Sequence, residues 1–587
     1  MIATNAAQNA ATTARSRFGI RVRGVVQGVG FRPAVFRIAE ALRLVGFVRN
    51  DAEGVWIEVE GCPEDVARFP ESLRRDAPAL SRIDALEISP MPPGADAAFL
   101  VVASAGTSSE GAIVPADVAT CEACLRELFD VDDRRYRYPF VNCTDCGPRY
   151  TIVHELPYDR PKTTMAAFDM CPACRAEYED PANRRFHAEP NACPACGPRV
   201  ALVEGGVRTS EGDTAMLRAA ALLGAGRILA VKGLGGYQLA VSATSEEGVE
   251  RLRERKRRPH KPLAVMARDL ATVDALADSS PAERRALTSP ARPIVLLRMR
   301  TEAEARVAKS VAPRLGELGV MLPSTPLHHL LLRDGEPLLV MTSGNVSDEP
   351  IAKDDDEALT KLADIADAFL VHDRRIHTRA DDSVVRGVAG VVQPVRRARG
   401  LVPDSIPLPF EAGGVLAVGA ELKSTVCLTR GREAFVSQHI GDLEGLEARA
   451  FFEEVVQKLG HLLGTSPSVV AHDLHPDYAS TRWAIASGLR RCVVQHHHAH
   501  VASCMAENGR IEQVIGVAFD GTGCGPAGDL WGGEVLLADL GGFERRGHLR
   551  PIALAGAKRR FASHGVWRRP RSSTRASLSR RSRASRA

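Results

Sequence analysis

The chain has 587 residues, 25% charged and 45% hydrophobic, an ordinary globular balance that excludes disorder as its main state. No run of about 18 apolar residues occurs, which excludes a membrane-spanning helix, and at about 150 residues per domain the length predicts about four domains. The net charge of +4 hides an asymmetry: residues 558–587 hold 11 Lys and Arg and no acid, leaving the first 557 residues at −7. In chain order, residues 1–17 are small and polar and lack a signal-type apolar stretch. They read as a disordered leader on a cytoplasmic protein.

Residues 18–104 alternate as a strand (FGIRVRGVV), then run through QGVGFR into a helix-period segment from Pro33 to Leu44. The strand GFVRN, the turn DAEG and the strand VWIEVEG follow, then a helix near 63–75 and strands near 82–89 and 97–103. The order β-α-β-β-α-β, completed by the last two strands, predicts a ferredoxin-like two-layer domain. The loop Gln27-Gly28-Val29-Gly30-Phe31-Arg32 joins a strand to a helix N-terminus. There backbone N–H groups turned inward, with the Arg32 fork, would hold a phosphate. Alone, such a loop is equally a plain tight turn. The longer pattern V-x-G-x-V-Q-G-V-G-F-R, followed by G-F-V-x-N, resembles the acylphosphatase family. That resemblance implies acyl phosphate hydrolysis, with Arg32 on the phosphate and Asn50 positioning the attacking water.

Eight of the 13 cysteines form four C-x-x-C pairs within 118–200: Cys121 and Cys124, Cys143 and Cys146, Cys171 and Cys174, Cys193 and Cys196. The second half repeats the first at an offset of 50 residues, down to Glu127/Glu177, Arg134/Arg184 and Arg135/Arg185. A repeat of this kind predicts two folding units, each closed by one structural zinc on four thiolates. A nested pairing, outer with outer and inner with inner, is the alternative arrangement. Zinc ribbons also bind nucleic acid, a second reading of these units.

Residues 208–400 predict an α/β domain. AMLRAAALLGAG reads as a helix ending in Gly, and RILAVKGLGGYQLAVSA as strand, Gly-rich loop and strand. The basic run at 251–262 is a solvated helix face or a site for nucleic acid or polyphosphate. K-x-R-P-x-K-P-L, carrying Lys256, Arg258 and Lys261, together with Ser343-Gly344-Asn345 resembles the YrdC family of ATP-binding, adenylate-forming proteins. The resemblance implies phosphate or acyl contacts for Lys256, Arg258 and Lys261, nucleotide contacts for Ser343 and Asn345, and ATP with magnesium as ligand. No Walker P-loop occurs. His328 and His329 read as core or cleft wall, and His372, Asp373, His377, Asp381 and Asp382 as cleft lining.

Residues 413–556 read as the opening hairpin and following elements of an actin-type ATPase fold. His496 and His500 stand four apart on a predicted helix, so both imidazoles face one way and could share a metal, while His497 and His498 point elsewhere. A strand ending at Asp520-Gly521-Thr522-Gly523 would bring a carboxylate to a Gly-rich phosphate loop. The constellation resembles the TsaD-type carbamoyltransferases, implying a further divalent metal, zinc or iron, on His496, His500 and Asp520.

Acylphosphatase-like, zinc-finger, YrdC-like and partial TsaD-like segments in this order resemble the hydrogenase maturation carbamoyltransferases, the HypF family. RRFHAEPNACP, VKGLGGYQLA, GVMLPSTPLHHLLL and VQHHHAH carry the likeness. It implies that carbamoyl phosphate and ATP give a carbamoyl-adenylate, whose carbamoyl group passes to the C-terminal Cys of HypE for the cyanide of a NiFe centre. Rival readings are a threonylcarbamoyl-type tRNA-modifying enzyme and a non-catalytic zinc module on nucleic acid. Residues 557–587, mostly Arg, Ser and Ala, read as an aberrant, frameshifted or truncated end that would impair transfer to the acceptor. The tail is therefore no argument for a nucleic-acid partner.

Overall fold

The computed structural model describes residues 15–551 except 52, 79, 95, 104–113, 302–305 and 347–348. The expected leader, up to residue 14, and the expected tail lie outside the described residues. Two compact units divide the chain: Met1–Asp404 with Val436–Ser466, and Ser405–Phe435 with Pro467–Ala587.

The first unit opens with β1 (Ser16–Val25), α1 (Phe31–Ala41), β2 (Val45–Asp51), β3 (Gly54–Gly61), α2 (Pro63–Arg75), β4 (Arg82–Met91) and β5 (Phe99–Val101). The strands form one sheet in the order β4-β1-β3-β2-β5. Ile20 pairs opposite Ile57 in the antiparallel β1–β3 ladder, and β5 adds parallel to β2. Strand alternation sends Ile20, Val22, Val48, Ile57 and Val59 into the core, where they meet Phe31, Val35, Val66, Phe69 and Leu73 of the helices. This is the expected ferredoxin-like layer pair. α2 starts on Pro63, has Glu64 and Asp65 in its first turn and Arg74 and Arg75 in its last, matching the helix dipole at both ends. α1 begins two residues earlier than the apolar period predicts. Gly30, at φ +74°, closes the loop in a left-handed conformation, which puts Phe31 and Arg32 in the first helical turn.

In the Cys-rich stretch, short helices Glu122–Phe129 and Pro172–Glu179 each start directly after the first Cys of a pair. Their free N–H groups therefore point toward thiolates. A 12-stranded mixed sheet follows, its centre ordered Val265–Ala267, Leu338–Ser343, Tyr237–Ser242, Leu229–Lys232 and Ala368–His372. These strands are buried on both faces, as their unbroken apolar runs require. The basic run fits neither sequence reading in full. Arg253 is buried and donates to the carbonyl oxygens of Arg258, Lys261 and Val311, so it pins the loop that follows it.

In the second unit a six-stranded sheet contains the hairpin Cys427–Arg430 with Glu433–Val436, and the parallel strands Val415–Ala417, Val469–Asp473 and Arg490–Val494. The helix His496–Glu507 follows, then a three-stranded antiparallel sheet of Val514–Cys524, Leu530–Ala538 and Phe543–His548.

Candidate active site and metal centres

The expected phosphate loop is tied to the β2–β3 turn through Gln27, whose Nε2 donates to the carbonyls of Asp51 at 3.0 Å and Gly54 at 2.8 Å. Gly28 and Gly30 have φ of +69° and +74°, and a Cβ on either would meet Pro115 or Thr144 at 3.1–3.2 Å. Only glycine admits both the conformation and that approach. Arg32 is buried, and its Nη2 donates to Glu189 Oε1 at 3.2 Å and Asp159 Oδ1 at 3.4 Å. Both atoms of the Asn50 amide are buried without a hydrogen-bond partner, an arrangement that costs free energy unless a ligand or water completes it. Asn50, Arg32, the loop, His187 and Glu189 line one cavity of about 20 Å³, room for about one water. Burial pushes the Glu189 carboxyl up to about 7; burial and the nearby Arg32 charge pull His187 down to about 3.

The eight cysteines form two sequential groups, Cys121-Cys124-Cys143-Cys146 and Cys171-Cys174-Cys193-Cys196, not the nested alternative. Sulfur separations are 3.7, 3.9 and 3.5 Å in the first and 3.7 and 3.8 Å in the second. Bonds of about 2.3 Å in a tetrahedron put sulfurs about 3.8 Å apart, so both groups fit zinc. The arginines cross between the halves. Arg134 and Arg135 donate to Cys174 Sγ at 3.4–3.6 Å and pair with Glu177. Arg184 donates to Cys124 Sγ at 3.2 Å, and Arg184 and Arg185 pair with Glu127. Burial works against the Glu177 carboxylate, yet Arg135 and Arg134 hold it down at about 2.

In the large sheet, Lys256, Ser343 and Asn345 come together. The buried Lys256 ammonium donates to Ser343 O at 2.6 Å, Asn345 O at 2.7 Å and Asn345 Oδ1 at 2.6 Å, and Ser343 Oγ donates to Asn345 Oδ1 at 2.8 Å. Arg258 is half-buried and donates to Pro262 O, while Lys261 is exposed. The Gly233–Gly236 loop lines two small cavities with Lys232, His328, His372, Arg374 and Arg399. His328 Nε2, His372 Nδ1 and Gln238 Oε1 are buried there without partners. Burial lowers Arg374 to about 10 and His328 to about 3. Sequence reading singled out neither Lys232 nor Arg374; the available signal was a lysine directly before a Gly-rich turn. Of the expected cleft residues, Asp382 is engaged by Gln238 and Arg399, and Asp381 by Arg396. Asp373 accepts from the Arg199 N–H, and His377 packs against His154 with ring centres 4.4 Å apart.

In the second unit, His496, His500 and Asp520 form a group of ligand atoms within 4.8 Å of one another. His496 Nε2 lies 2.9 Å from Asp520 Oδ2 and 3.3 Å from His500 Nε2, spacings that a single divalent ion can bridge. His497 and His498 donate instead to the carbonyls of Gly532 and Asp539. One expectation needs correction: Asp520 does not end a strand. The strand continues to Cys524, and Asp520-Gly521-Thr522 bulges between Phe519, paired with Gly533, and Gly523, paired with Trp531. The bulge re-aims Asp520 toward the histidines. Sequence reading also missed Asp473, whose Oδ2 accepts from His496 Nδ1 at 2.6 Å. The two carboxylates, Asp473 first, hold His496 up at about 9.

Family models match successive stretches of the chain. They are Acylphosphatase at 18–99, the HypF finger at 120–153 and 170–203, the Sua5/YciO/YrdC model described as telomere recombination at 221–398, and the HypF Kae1-like domain at 411–507. The second subdomain of the Kae1-like carbamoyltransferase domain matches at 516–579, a span that includes much of the basic tail. Carbamoyltransferase HypF2 of Cupriavidus necator is 50% identical over 575 residues, covering 94% of this chain and 71% of that protein. The chain belongs to the HypF carbamoyltransferase family. The HypF of Rhodobacter capsulatus is 49% identical, over 92% of this chain and 73% of its own length. A crystal structure of full-length HypF in a phosphate- and nucleotide-bound form superposes with a TM-score of 0.88 at 47% identity, covering 92% of this chain and 70% of that one. HypF of T. kodakarensis gives 0.85 at 44% identity, covering 91% and 69%. The chain is thus a carbamoyltransferase of mixed α/β architecture with two four-cysteine clusters. Among its described residues no helix is long and apolar enough to cross a membrane.

Proposed function

We propose that the chain converts carbamoyl phosphate and ATP to a carbamoyl-adenylate and passes the carbamoyl group to the C-terminal cysteine of HypE, for the cyanide of a NiFe centre. The observation that carries the first step is the unpartnered Asn50 amide in one cavity with Arg32 and the loop Gln27–Arg32. Loop N–H groups and Arg32 would hold the phosphate while Asn50 orients a water. Water attacks the carbonyl carbon and the bond to the phosphate oxygen breaks, giving carbamate, hydrogen phosphate and a proton. A carbamate oxygen then attacks the α-phosphorus of magnesium-bound ATP and pyrophosphate leaves. The positive groups around the Gly233–Gly236 loop, Lys232, Arg374 and Arg399, would offset the charge that develops there. Lys256 would hold the Ser343–Asn345 loop in shape. In the last step the acceptor thiolate attacks the carbonyl carbon and AMP departs.

Two zinc ions on four thiolates each would be structural, since every position is taken by sulfur. A divalent ion, zinc or iron, on His496, His500 and Asp520 would supply Lewis-acid stabilisation of phosphate charge. Thirteen free cysteines fit the reducing cytoplasm. Carbamate and its adenylate both react with water, which favours sheltered sites in one chain. The test is ATP–pyrophosphate exchange: it should require carbamoyl phosphate, not threonine, and vanish in Arg32→Ala. Exchange driven by threonine would favour the tRNA-modifying alternative. No exchange at all, with salt-dependent nucleic-acid binding, would favour the zinc-module reading.

A further inference from the structure

Glu189 stands where no hydrolytic role has been given to it. It belongs to the finger stretch, 157 residues from Arg32, yet it is the one carboxylate lining the phosphate-loop cavity among the described residues. Its two oxygens do different work. Oε2 is fixed, accepting from Tyr178 Oη at 2.9 Å and from the Arg160 N–H at 2.8 Å. Oε1 accepts from Arg32 at 3.2 Å. A phosphate bound in the loop would compete with Oε1 for the Arg32 guanidinium, which lines the same cavity, and its greater charge would draw the fork away.

That exchange leaves a buried oxygen in need of a donor. Carbamoyl phosphate brings one, the N–H of its amide. Acetyl phosphate brings a methyl group to the same place and leaves the oxygen unpaired. A site built to accept from a substrate N–H discriminates strongly against an analogue without it, because the buried acceptor is then left unsatisfied. We propose that Glu189 is a specificity-determining residue: its Oε1, released from Arg32 by the substrate phosphate, accepts from the carbamoyl amide and selects carbamoyl phosphate over acyl phosphates that lack an N–H. The proposal rests on the reading of this cavity as the acyl phosphate site and adds the group that chooses the acyl part. His187, on the same stretch, is held neutral, and Asp159, whose Oδ1 also accepts from Arg32 at 3.4 Å, is partly exposed, so water can replace the guanidinium there but not at Glu189.

The experiment measures phosphate release from carbamoyl phosphate and from acetyl phosphate by the zinc-loaded full chain, as the ratio of the two kcat/KM values. The wild type should favour carbamoyl phosphate. Glu189→Leu should lower the ratio by about 2- to 10-fold, the range of a hydrogen bond between uncharged groups. Glu189→Gln keeps an acceptor oxygen and should keep most of the ratio. Two zinc ions per chain in each variant would show that the finger units have folded. Should Glu189→Leu lose zinc, Glu189→Asp, which withdraws the oxygen by one methylene, takes its place with the same expected fall. An unchanged ratio in Glu189→Leu or its substitute, both substrates falling together, overturns the proposal and leaves Glu189 a structural brace. Loss of the ratio in Glu189→Gln as complete as in Glu189→Leu overturns it too. A wild type that hydrolyses neither substrate overturns the underlying site assignment, and the proposal with it.

Discussion

Arg184→Ala should loosen zinc from the half of the finger region that does not contain residue 184. A dication on four thiolates keeps two uncompensated negative charges, and a buried group of that charge needs donors. The first cluster receives them from the second half: Arg184 Nη1 donates to Cys124 Sγ at 3.2 Å, and its Nε to Glu127 Oε1 at 3.1 Å. A hydrogen bond to a charged group contributes about 1.5–3 kcal/mol, about 10- to 150-fold in a binding constant. Removal of partners just outside a metal's ligands independently costs about 10- to 100-fold in affinity. The Arg184 side chain is 27% exposed, so water replaces part of what is lost, and about 10- to 50-fold is expected. Competition with a chelator should therefore withdraw one zinc from Arg184→Ala well before the other. Alkylation during that withdrawal should label Cys121, Cys124, Cys143 and Cys146 and spare the second set. Arg134→Ala should give the mirror pattern, exposing Cys171, Cys174, Cys193 and Cys196. Labelling of the mutated half's own cysteines, or simultaneous release as in the wild type, would refute the crossed bracing.

Lys256→Ala should abolish carbamoyl-phosphate-dependent ATP–pyrophosphate exchange, by at least about 100-fold, while both zinc ions stay bound. It removes one buried cation that donates to three oxygens of the Ser343–Asn345 loop, although Asn345 Oδ1 keeps the Ser343 hydroxyl and Ser343 O keeps the Asn345 N–H. Asp473→Asn should weaken divalent-metal binding at His496 about 10- to 100-fold, read by metal titration; unchanged affinity would mean that Asp473 does not orient the imidazole. For Glu189, protonated below about 7 and ionised above it, the pH profile has a definite sign. The ionised form holds Arg32 and repels phosphate, so kcat/KM for carbamoyl phosphate should fall as pH rises through 7, and Glu189→Gln should flatten that fall.

What was legible in the sequence follows from the range over which each constraint acts. Four thiolates must meet within about 4 Å, so C-x-x-C spacing and its repeat point to two clusters before any fold is known. The same repeat is silent on Arg134 and Arg184, because a 50-residue offset is satisfied equally whether each arginine serves its own cluster or the other. His496 and His500 were readable because one helical turn fixes their common face, and Asp473 was not, because it arrives from a separate strand. Asp520 was found by type and misplaced by context: Gly-rich sequence after a strand reads as a loop, while here the ladder resumes after a bulge. Glu189 is the extreme case. Its motif helped to identify the family, yet nothing local in RRFHAEPNACP says that this carboxylate will sit on an arginine 157 residues away. A separate acylphosphatase fold could supply Arg32, Asn50 and the loop, but not a carboxylate in their cavity. The finger region brings that carboxylate, so its four-cysteine clusters would hold up one wall of the proposed substrate site as well as their own fold. Chelation should accordingly impair carbamoyl phosphate hydrolysis even though no cysteine is assigned a part in the reaction.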